Sequence, residues 1–209
     1  MKLYGFPPSP NTWKIRAVAA HLGLPLEVQF VDLTKGAQRV PEYLALNPVG
    51  RTPTLVDGDF VLWESAAILQ YIADKKPNTL WPNDPRMRAD ISRWLFWNLA
   101  HWGGESCQPL IFQRLVKKIM NMGGPDAAAV EQATQCFNRE ASLLEGQLAK
   151  QPYLVGTGLT LADFSVAAPL FYAKEAELPV ANYPRLQDWF GRVSALPAWH
   201  DTAPMAAAA

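Results

Sequence analysis

The chain has 209 residues, of which 19 are basic and 19 are acidic, so its formal net charge is zero. This balance argues against a general surface for nucleic acid or anionic membranes, because such surfaces carry an excess of lysine and arginine. The length suits one or two domains, and the longest apolar stretch, at 164–173, is about half of the roughly 18 residues that a membrane span needs.

The first part of the chain alternates strand and helix signals. Residues 2–6 predict a short strand, and a helical period follows Ser9 until Gly23 stops it. An alternating segment at 26–31 predicts a second strand, and a short, proline-marked helix follows at 38–46. This order is typical of a βαβ unit, whose parallel strands are joined by a right-handed crossover.

Asp57 and Gly58 give the clearest local signal in the chain. They separate two apolar runs and predict a tight β-hairpin. A helix follows at 64–76, with lysines near its end, where they complement the helix dipole. The predicted order is therefore β-α-β-α-β-β-α, which makes residues 1–76 an α/β domain with a small mixed sheet.

Residues 77–85 are a predicted linker, because they hold three prolines and two asparagines without periodicity. Long helical patterns then fill the chain, and no convincing strand follows. Thr160 and Asp163 have the spacing of a capping box, which predicts a helix start that stabilises folding. Residues 86–209 are thus predicted to form an all-helical domain.

The cysteines and histidines restrict the chemistry further. Cys107 and Cys136 form no CxxC motif, so we expect a reduced protein in the cytoplasm rather than a disulfide framework. The three histidines are scattered, without an HxxxH pair or a neighbouring cysteine, so no metal site is expected. The N-terminus lacks the pattern of a secretory signal.

The turn before the first predicted helix holds a hydroxyl in a stiff setting. Two prolines precede Ser9, and Pro10 follows it. Serine is a favoured N-cap and proline a favoured first helical residue, so Ser9 can simply begin the helix. A helix N-terminus also offers free N–H groups and partial positive charge, so a hydroxyl there can donate to a bound anion. Asn11 and Thr12 are second-choice donors.

Three segments resemble the cytosolic glutathione transferases, nearest to the serine-type bacterial, theta-like and phi-like members. They are KLYGFPPSPNTWKIR, NPVGRTPTLVDGDFVLWESAAILQYIA and GLTLADFSVAAPL, and the resemblance covers essentially the whole chain. It implies a thioredoxin-like domain followed by an all-helical domain, in a cytoplasmic homodimer without a metal. The implied activity is transfer of glutathione, the co-substrate, to hydrophobic electrophiles in detoxification.

The resemblance also implies which residues bind glutathione. Ser9 corresponds to the hydroxyl that stabilises the glutathione thiolate. Thr52 precedes Pro53, where the family has a cis-proline that presents backbone groups to the cysteinyl unit like an added strand. Glu64 then faces the α-amino group of the γ-glutamyl unit, and Ser65 holds its α-carboxylate at a helix N-terminus.

The glycyl end of glutathione is where this sequence departs from its relatives. Gln38 and Arg39 stand where phi-like members have a His-Lys pair that contacts the glycyl carboxylate. Arg39 keeps a cation, whereas Gln38 does not. Arg51 stands where such members often have glutamine, so the resemblance implies a glycyl site formed by Gln38, Arg39 and Arg51.

The family's electrophile pocket lies between its two domains, and four residues are candidates for its wall: Trp13, Trp102, Leu110 and Phe112. Trp13 occupies a position that is often small or basic in relatives, so it either shapes this pocket or packs in the core. Two other functions stay open from sequence. One is a non-catalytic member of the fold that binds hydrophobic ligands or proteins, and the other is a glutathione-dependent peroxidase, dehalogenase or isomerase.

Overall fold

The computed structural model describes residues 1–204 and divides into two compact units. The first unit comprises Met1–Trp81 together with the chain from Leu196 onward, and the second comprises Pro82–Ala195. Their boundary falls inside the linker predicted at 77–85. Within the described part of the chain, every helix is too short or too polar to cross a membrane.

A four-stranded mixed sheet lies at the centre of the first unit. Its strands are β1 (Lys2–Gly5), β2 (Glu27–Phe30), β3 (Thr54–Asp57) and β4 (Phe60–Trp63). The order is β2-β1-β3-β4, with β1 parallel to β2, and β3 antiparallel to both β1 and β4. Gly58 has a φ of 63° in the two-residue connection between β3 and β4, which confirms the predicted hairpin.

Three helices accompany the sheet: α1 (Pro10–His21), α2 (Pro41–Leu46) and α3 (Ser65–Ala73). Short 3₁₀ turns at Leu33–Lys35 and Ala37–Arg39 precede α2. Helices α1 and α3 pack against each other, and α3 contacts β3 and β4. The apolar faces of these elements form a core in which the following side chains are buried: Leu3, Ile15, Val18, Leu55, Ile68, Leu69 and Ile72.

The second unit opens with a helix that changes its winding. Its α-helical and π-helical parts are, in order, α4 (Pro85–Trp97), a π-helix (Asn98–Cys107), α5 (Gln108–Ile111), a second π-helix (Phe112–Val116) and α6 (Lys117–Ile119). The first π-helix contains Gly103 and Gly104, where a Cβ would overlap backbone carbonyl oxygens five residues earlier. Glycine therefore allows the wider winding at this point.

Helices α7 (Ala127–Leu148), α8 (Leu161–Ala167) and α9 (Pro184–Ser194) complete the second unit. The predicted capping box is confirmed at the start of α8. One carboxylate oxygen of Asp163 accepts the Thr160 N–H at 2.8 Å and the Thr160 hydroxyl at 3.0 Å. The other oxygen accepts the Leu154 N–H at 3.0 Å and the Trp189 indole N–H at 2.9 Å. The buried carboxylate thus links α8 to α9 and to the preceding loop.

Helix α10 (Pro197–Asp201) departs from the helical domain predicted at 86–209, because it belongs to the first unit. It packs on α1, where the ring of Trp199 lies 4.2 Å from that of Trp13. The Trp13 indole N–H donates to the Thr202 hydroxyl at 3.1 Å. Mutual burial of two indole rings explains this return of the chain. Residues 205–209 of the predicted domain lie outside the described residues.

Candidate functional site

One edge of the sheet collects the segments that were predicted to bind a ligand. Strands β1 and β4 end at this edge and β3 begins there, with Tyr4, Thr54 and Trp63 in register. The residues that follow β1, precede β3 and follow β4 carry the predicted ligand groups: Ser9, Thr52, Pro53, Glu64 and Ser65. Sheet topology therefore brings together groups that are up to 56 residues apart in the chain.

Ser9 occupies the N-cap position of α1 with an extended backbone, and Pro10 is the first helical residue. Its carbonyl oxygen accepts the N–H groups of Thr12 at 3.0 Å and Trp13 at 2.9 Å, and its own N–H donates to Phe6 O at 2.8 Å. The hydroxyl makes no capping hydrogen bond. The backbone of Ser9 thus begins the helix, while its half-buried side chain stays available to a ligand.

The two second-choice donors differ in access. Thr12 is fully buried, and within residues 1–204 its hydroxyl oxygen has no hydrogen-bond partner. Its enclosure argues against a role as donor to a ligand. Asn11 accepts a long hydrogen bond of 3.4 Å from the Ser65 hydroxyl, so the starts of α1 and α3 touch.

Thr52 and Pro53 are joined by a cis peptide bond, as the resemblance implied. Pro53 is buried, whereas Thr52 is half-buried at the entrance to β3. Among the residues that the structure describes, neither the N–H nor the C=O of Thr52 takes part in a backbone hydrogen bond. Both groups can therefore pair with an extended ligand.

Two buried residues beside this segment carry no local sequence signal and were not predicted: Tyr43 and Asn47. The Tyr43 hydroxyl donates to the Arg51 carbonyl oxygen at 2.6 Å and lies 2.9 Å from the Thr54 hydroxyl oxygen. The Asn47 amide nitrogen donates to the same two oxygens, at 2.8 Å and 3.1 Å. The Asn47 amide oxygen accepts the Val49 N–H at 3.0 Å. Tyr43 and Asn47 thus fix the residue before Thr52 and the residue two positions after it.

Glu64 precedes α3 with φ 72° and ψ 114°, a left-handed conformation that costs energy for any residue except glycine. Its carbonyl oxygen accepts the Ile68 N–H at 3.0 Å, which closes the first helical turn. The Glu64 side chain is exposed, whereas Ser65 is buried. Lys14 on α1 is fully buried, and burial lowers the pKa of Lys14 to about 7, although the charge of Glu64 opposes this shift.

The residues predicted for the glycyl end lie before Thr52. Arg39 is exposed, and its guanidinium donates to Val49 O at 3.4 Å, close to Gly50. The amide oxygen of Gln38 is enclosed and has no hydrogen-bond partner in the described part of the chain. Arg51 is exposed. Two exposed cations therefore flank the loop that leads to Thr52.

Comparisons with known proteins identify the family of this chain. The family model for the glutathione S-transferase N-terminal domain matches residues 1–74, and that for the C-terminal domain matches residues 107–197. The chain is similar to glutathione S-transferase 3 of Zea mays, with 39% identity over 208 residues that cover 97% of this chain and 92% of that protein. The chain belongs to the glutathione S-transferase family.

Solved structures of glutathione S-transferases have the same fold. The chain is similar to the structure of glutathione S-transferase III in apo form, with 38% identity, a TM-score of 0.86, and coverage of 98% of this chain and 97% of that chain. It is also similar to glutathione S-transferase-I bound with lactoylglutathione, with 28% identity, a TM-score of 0.86 and coverage of 97% of both chains. The predicted family and fold are therefore confirmed.

Three of the four residues predicted for the wall of the electrophile pocket are fully buried, and one is exposed. Trp13 is fully buried, because it packs in the core of the first unit. Trp102 and Leu110 are fully buried in the second unit. Phe112 is 42% exposed and keeps a face that a hydrophobic molecule can reach. The burial of Trp13 agrees with the alternative that it packs in the core, and Phe112 is the exposed member of the four.

Proposed function

We propose that this chain conjugates the thiolate of glutathione to hydrophobic electrophiles, with the Ser9 hydroxyl as hydrogen-bond donor to the sulfur. The observation that carries this assignment is the Ser9 side chain, which makes no capping bond although its backbone caps α1. An uncommitted hydroxyl at a helix N-terminus can stabilise an anion together with the helix dipole.

The magnitudes are sufficient for thiolate formation. A free thiol has a pKa of about 8.5, so it is only a few per cent ionised at pH 7. Lowering that pKa by about two units requires roughly 2.7 kcal/mol in favour of the thiolate. A hydrogen bond to a charged group contributes about 1.5–3 kcal/mol, and the helix N-terminus adds about 0.3–1 kcal/mol. A protein base is therefore not required.

The remaining groups hold glutathione so that its sulfur lies beside Ser9. Thr52 pairs through its N–H and C=O with the cysteinyl unit. Glu64 contacts the α-amino group, and Ser65 at the start of α3 contacts the α-carboxylate. Arg39, Gln38 and Arg51 form the glycyl end, where the two cations attract the glycyl carboxylate.

Catalysis then depends on proximity. The thiolate attacks an electrophilic carbon held against it, a carbon–sulfur bond forms, and with an aryl chloride the chloride leaves with its electron pair. The proton lost by glutathione passes to solvent. Of the residues predicted for the pocket wall, Phe112 contacts the electrophile. Alignment of the two reactants supplies the rate increase.

The first test is direct. Calorimetry is expected to detect binding of glutathione by the purified chain, and turnover of a chlorinated nitroaromatic is expected above that of the same mixture without protein. Binding without turnover of aryl chlorides, haloalkanes, peroxides or isomerisable double bonds would favour a non-catalytic member of the fold. Absence of glutathione binding would overturn the proposal.

We also propose a homodimer in the cytoplasm. Family membership supports the dimer, and so do the exposed apolar side chains of Phe96 (61% exposed) and Leu143 (48% exposed) in the second unit. Leu143 also lines a cavity of about 410 Å³ with Trp94 and Trp97. The cytoplasmic location is supported by two free cysteines.

Light scattering at micromolar concentration is expected to give about twice the 23.2 kDa of one chain. Substitution of Leu143 by glutamate places a charge at one of these exposed apolar positions and is expected to shift the mass toward one chain. A wild-type mass near 23.2 kDa would refute the dimer.

A further inference from the structure

The hydrogens in the network around Thr52 can be assigned without ambiguity. The Arg51 carbonyl oxygen has no hydrogen to donate, so Tyr43 and Asn47 both donate to it. The single Tyr43 hydrogen is then used, and the contact of 2.9 Å between Tyr43 and Thr54 requires the Thr54 hydroxyl to donate. Asn47 gives its second hydrogen to the Thr54 oxygen, while the Val49 N–H fixes which end of the Asn47 amide is oxygen.

This network fixes the direction of one particular N–H group. The Arg51 carbonyl and the Thr52 N–H belong to the same peptide unit, which is planar and trans, so the two bonds point in opposite directions. Two donors hold the Arg51 oxygen toward the buried side. The Thr52 N–H is consequently turned away from the network, toward the open edge of the sheet.

The network is enclosed, which increases its rigidity. Tyr43 is 5% exposed, Asn47 2% and Thr54 0%. Burial raises the pKa of Tyr43, so its hydroxyl keeps the hydrogen that it donates. Loss of a partner in such a network leaves buried polar groups unpaired, and the segment then relaxes to satisfy them.

We infer that Tyr43 and Asn47 are positioning residues that aim the Thr52 N–H at the cysteinyl carbonyl of glutathione. The inference rests on the proposed function, because it needs glutathione at this edge. Neither side chain touches the ligand; each acts through the Arg51–Thr52 peptide. The hydrogen bond from Thr52 is made equally in the bound state and in the transition state, so it contributes to KM rather than to kcat.

The Tyr43→Phe substitution tests this role, and Tyr71→Phe is its matched control. Tyr71 lies in the same unit and its hydroxyl also makes a hydrogen bond, to Asp57 at 2.8 Å, but outside the site. Tyr43→Phe is expected to raise both KM and Kd for glutathione about three- to tenfold, with kcat within about twofold. Tyr71→Phe is expected to leave KM, Kd and kcat unchanged.

A second pair of variants separates positioning from general loss of stability. Thr54→Ser keeps the hydroxyl and is expected to keep KM, whereas Thr54→Val removes it and is expected to raise KM as Tyr43→Phe does. In NMR spectra, the Thr52 amide signal of the wild type is expected to shift on addition of glutathione. That shift is expected to be smaller in Tyr43→Phe and unchanged in Tyr71→Phe.

The outcomes distinguish the two proposals. If the wild type turns over glutathione but Tyr43→Phe keeps the wild-type KM, the positioning role is wrong while the function stands. A fall in kcat at constant KM would likewise overturn the role, because it would indicate an effect on the thiolate. A wild type that does not bind glutathione overturns the proposed function, and the positioning role with it.

Discussion

The Ser9→Ala variant is expected to lose at least about tenfold in turnover of a chlorinated nitroaromatic, while glutathione still binds. The Ser9 hydroxyl lies at the N-cap of α1, and it makes no capping bond there. Its removal leaves the thiolate with only the helix dipole, worth about 0.3–1 kcal/mol. Steady-state kinetics and calorimetry on the same preparation would measure both quantities.

A titration of the thiol of bound glutathione measures the effect of this variant on the thiolate directly. The ultraviolet absorbance of the thiolate is expected to report a pKa about one to two units higher in Ser9→Ala than in the wild type. Thr12→Val is the matched control. It also removes a hydroxyl from the first turn of α1, but Thr12 is fully buried, so its hydroxyl cannot reach the thiolate. Unchanged turnover in Ser9→Ala would show that Ser9 is not the donor to the thiolate, and Asn11 or a backbone N–H would then be the candidate.

Substitution of Asp163 by alanine is expected to destabilise the second unit by about 3–5 kcal/mol. The carboxylate accepts four hydrogen bonds, from the backbone of Leu154, the indole of Trp189, and the backbone and hydroxyl of Thr160. All of these residues are buried, so removal of the carboxylate leaves their donors without an acceptor in a region that water does not reach. Urea unfolding followed by tryptophan fluorescence would measure the loss.

Asp126 provides the comparison for this prediction. It caps α7 by accepting the N–H groups of Ala128 and Ala129, but it lies on the surface. Asp126→Ala removes a helix cap without burying unpaired donors, so a loss of only about 1 kcal/mol is expected. Equal losses for the two variants would contradict a special role of the Asp163 network.

Local signals were enough for much of the fold. The hairpin followed from Asp57 and Gly58 between two apolar runs, and the capping box followed from the spacing of Thr160 and Asp163. Such features depend on residues a few positions apart. The cis bond before Pro53 came from the resemblance alone, because most X–Pro bonds are trans.

The winding of one helix and the contacts between residues far apart in the chain could not be predicted from the sequence. The π-helical winding at Asn98–Cys107 leaves the apolar pattern nearly helical, so periodicity does not distinguish it from an α-helix. The sequence left open whether Trp13 shapes a pocket or packs in the core, because its partner Thr202 is 189 residues away. The role of Tyr43 is also invisible in the sequence, since it follows from a carbonyl oxygen of the backbone, which any residue at position 51 provides.

The return of α10 to α1 has a consequence for biosynthesis. A ribosome makes the residues around Trp13 before the whole second unit and makes those around Trp199 after it, so the first unit lacks α10 while Pro82–Ala195 is being translated. Domains usually fold as they emerge, the earliest first. In this chain the first unit can complete its core only after the residues of the second unit have been made, because the Trp199 ring that packs on Trp13 follows them in sequence.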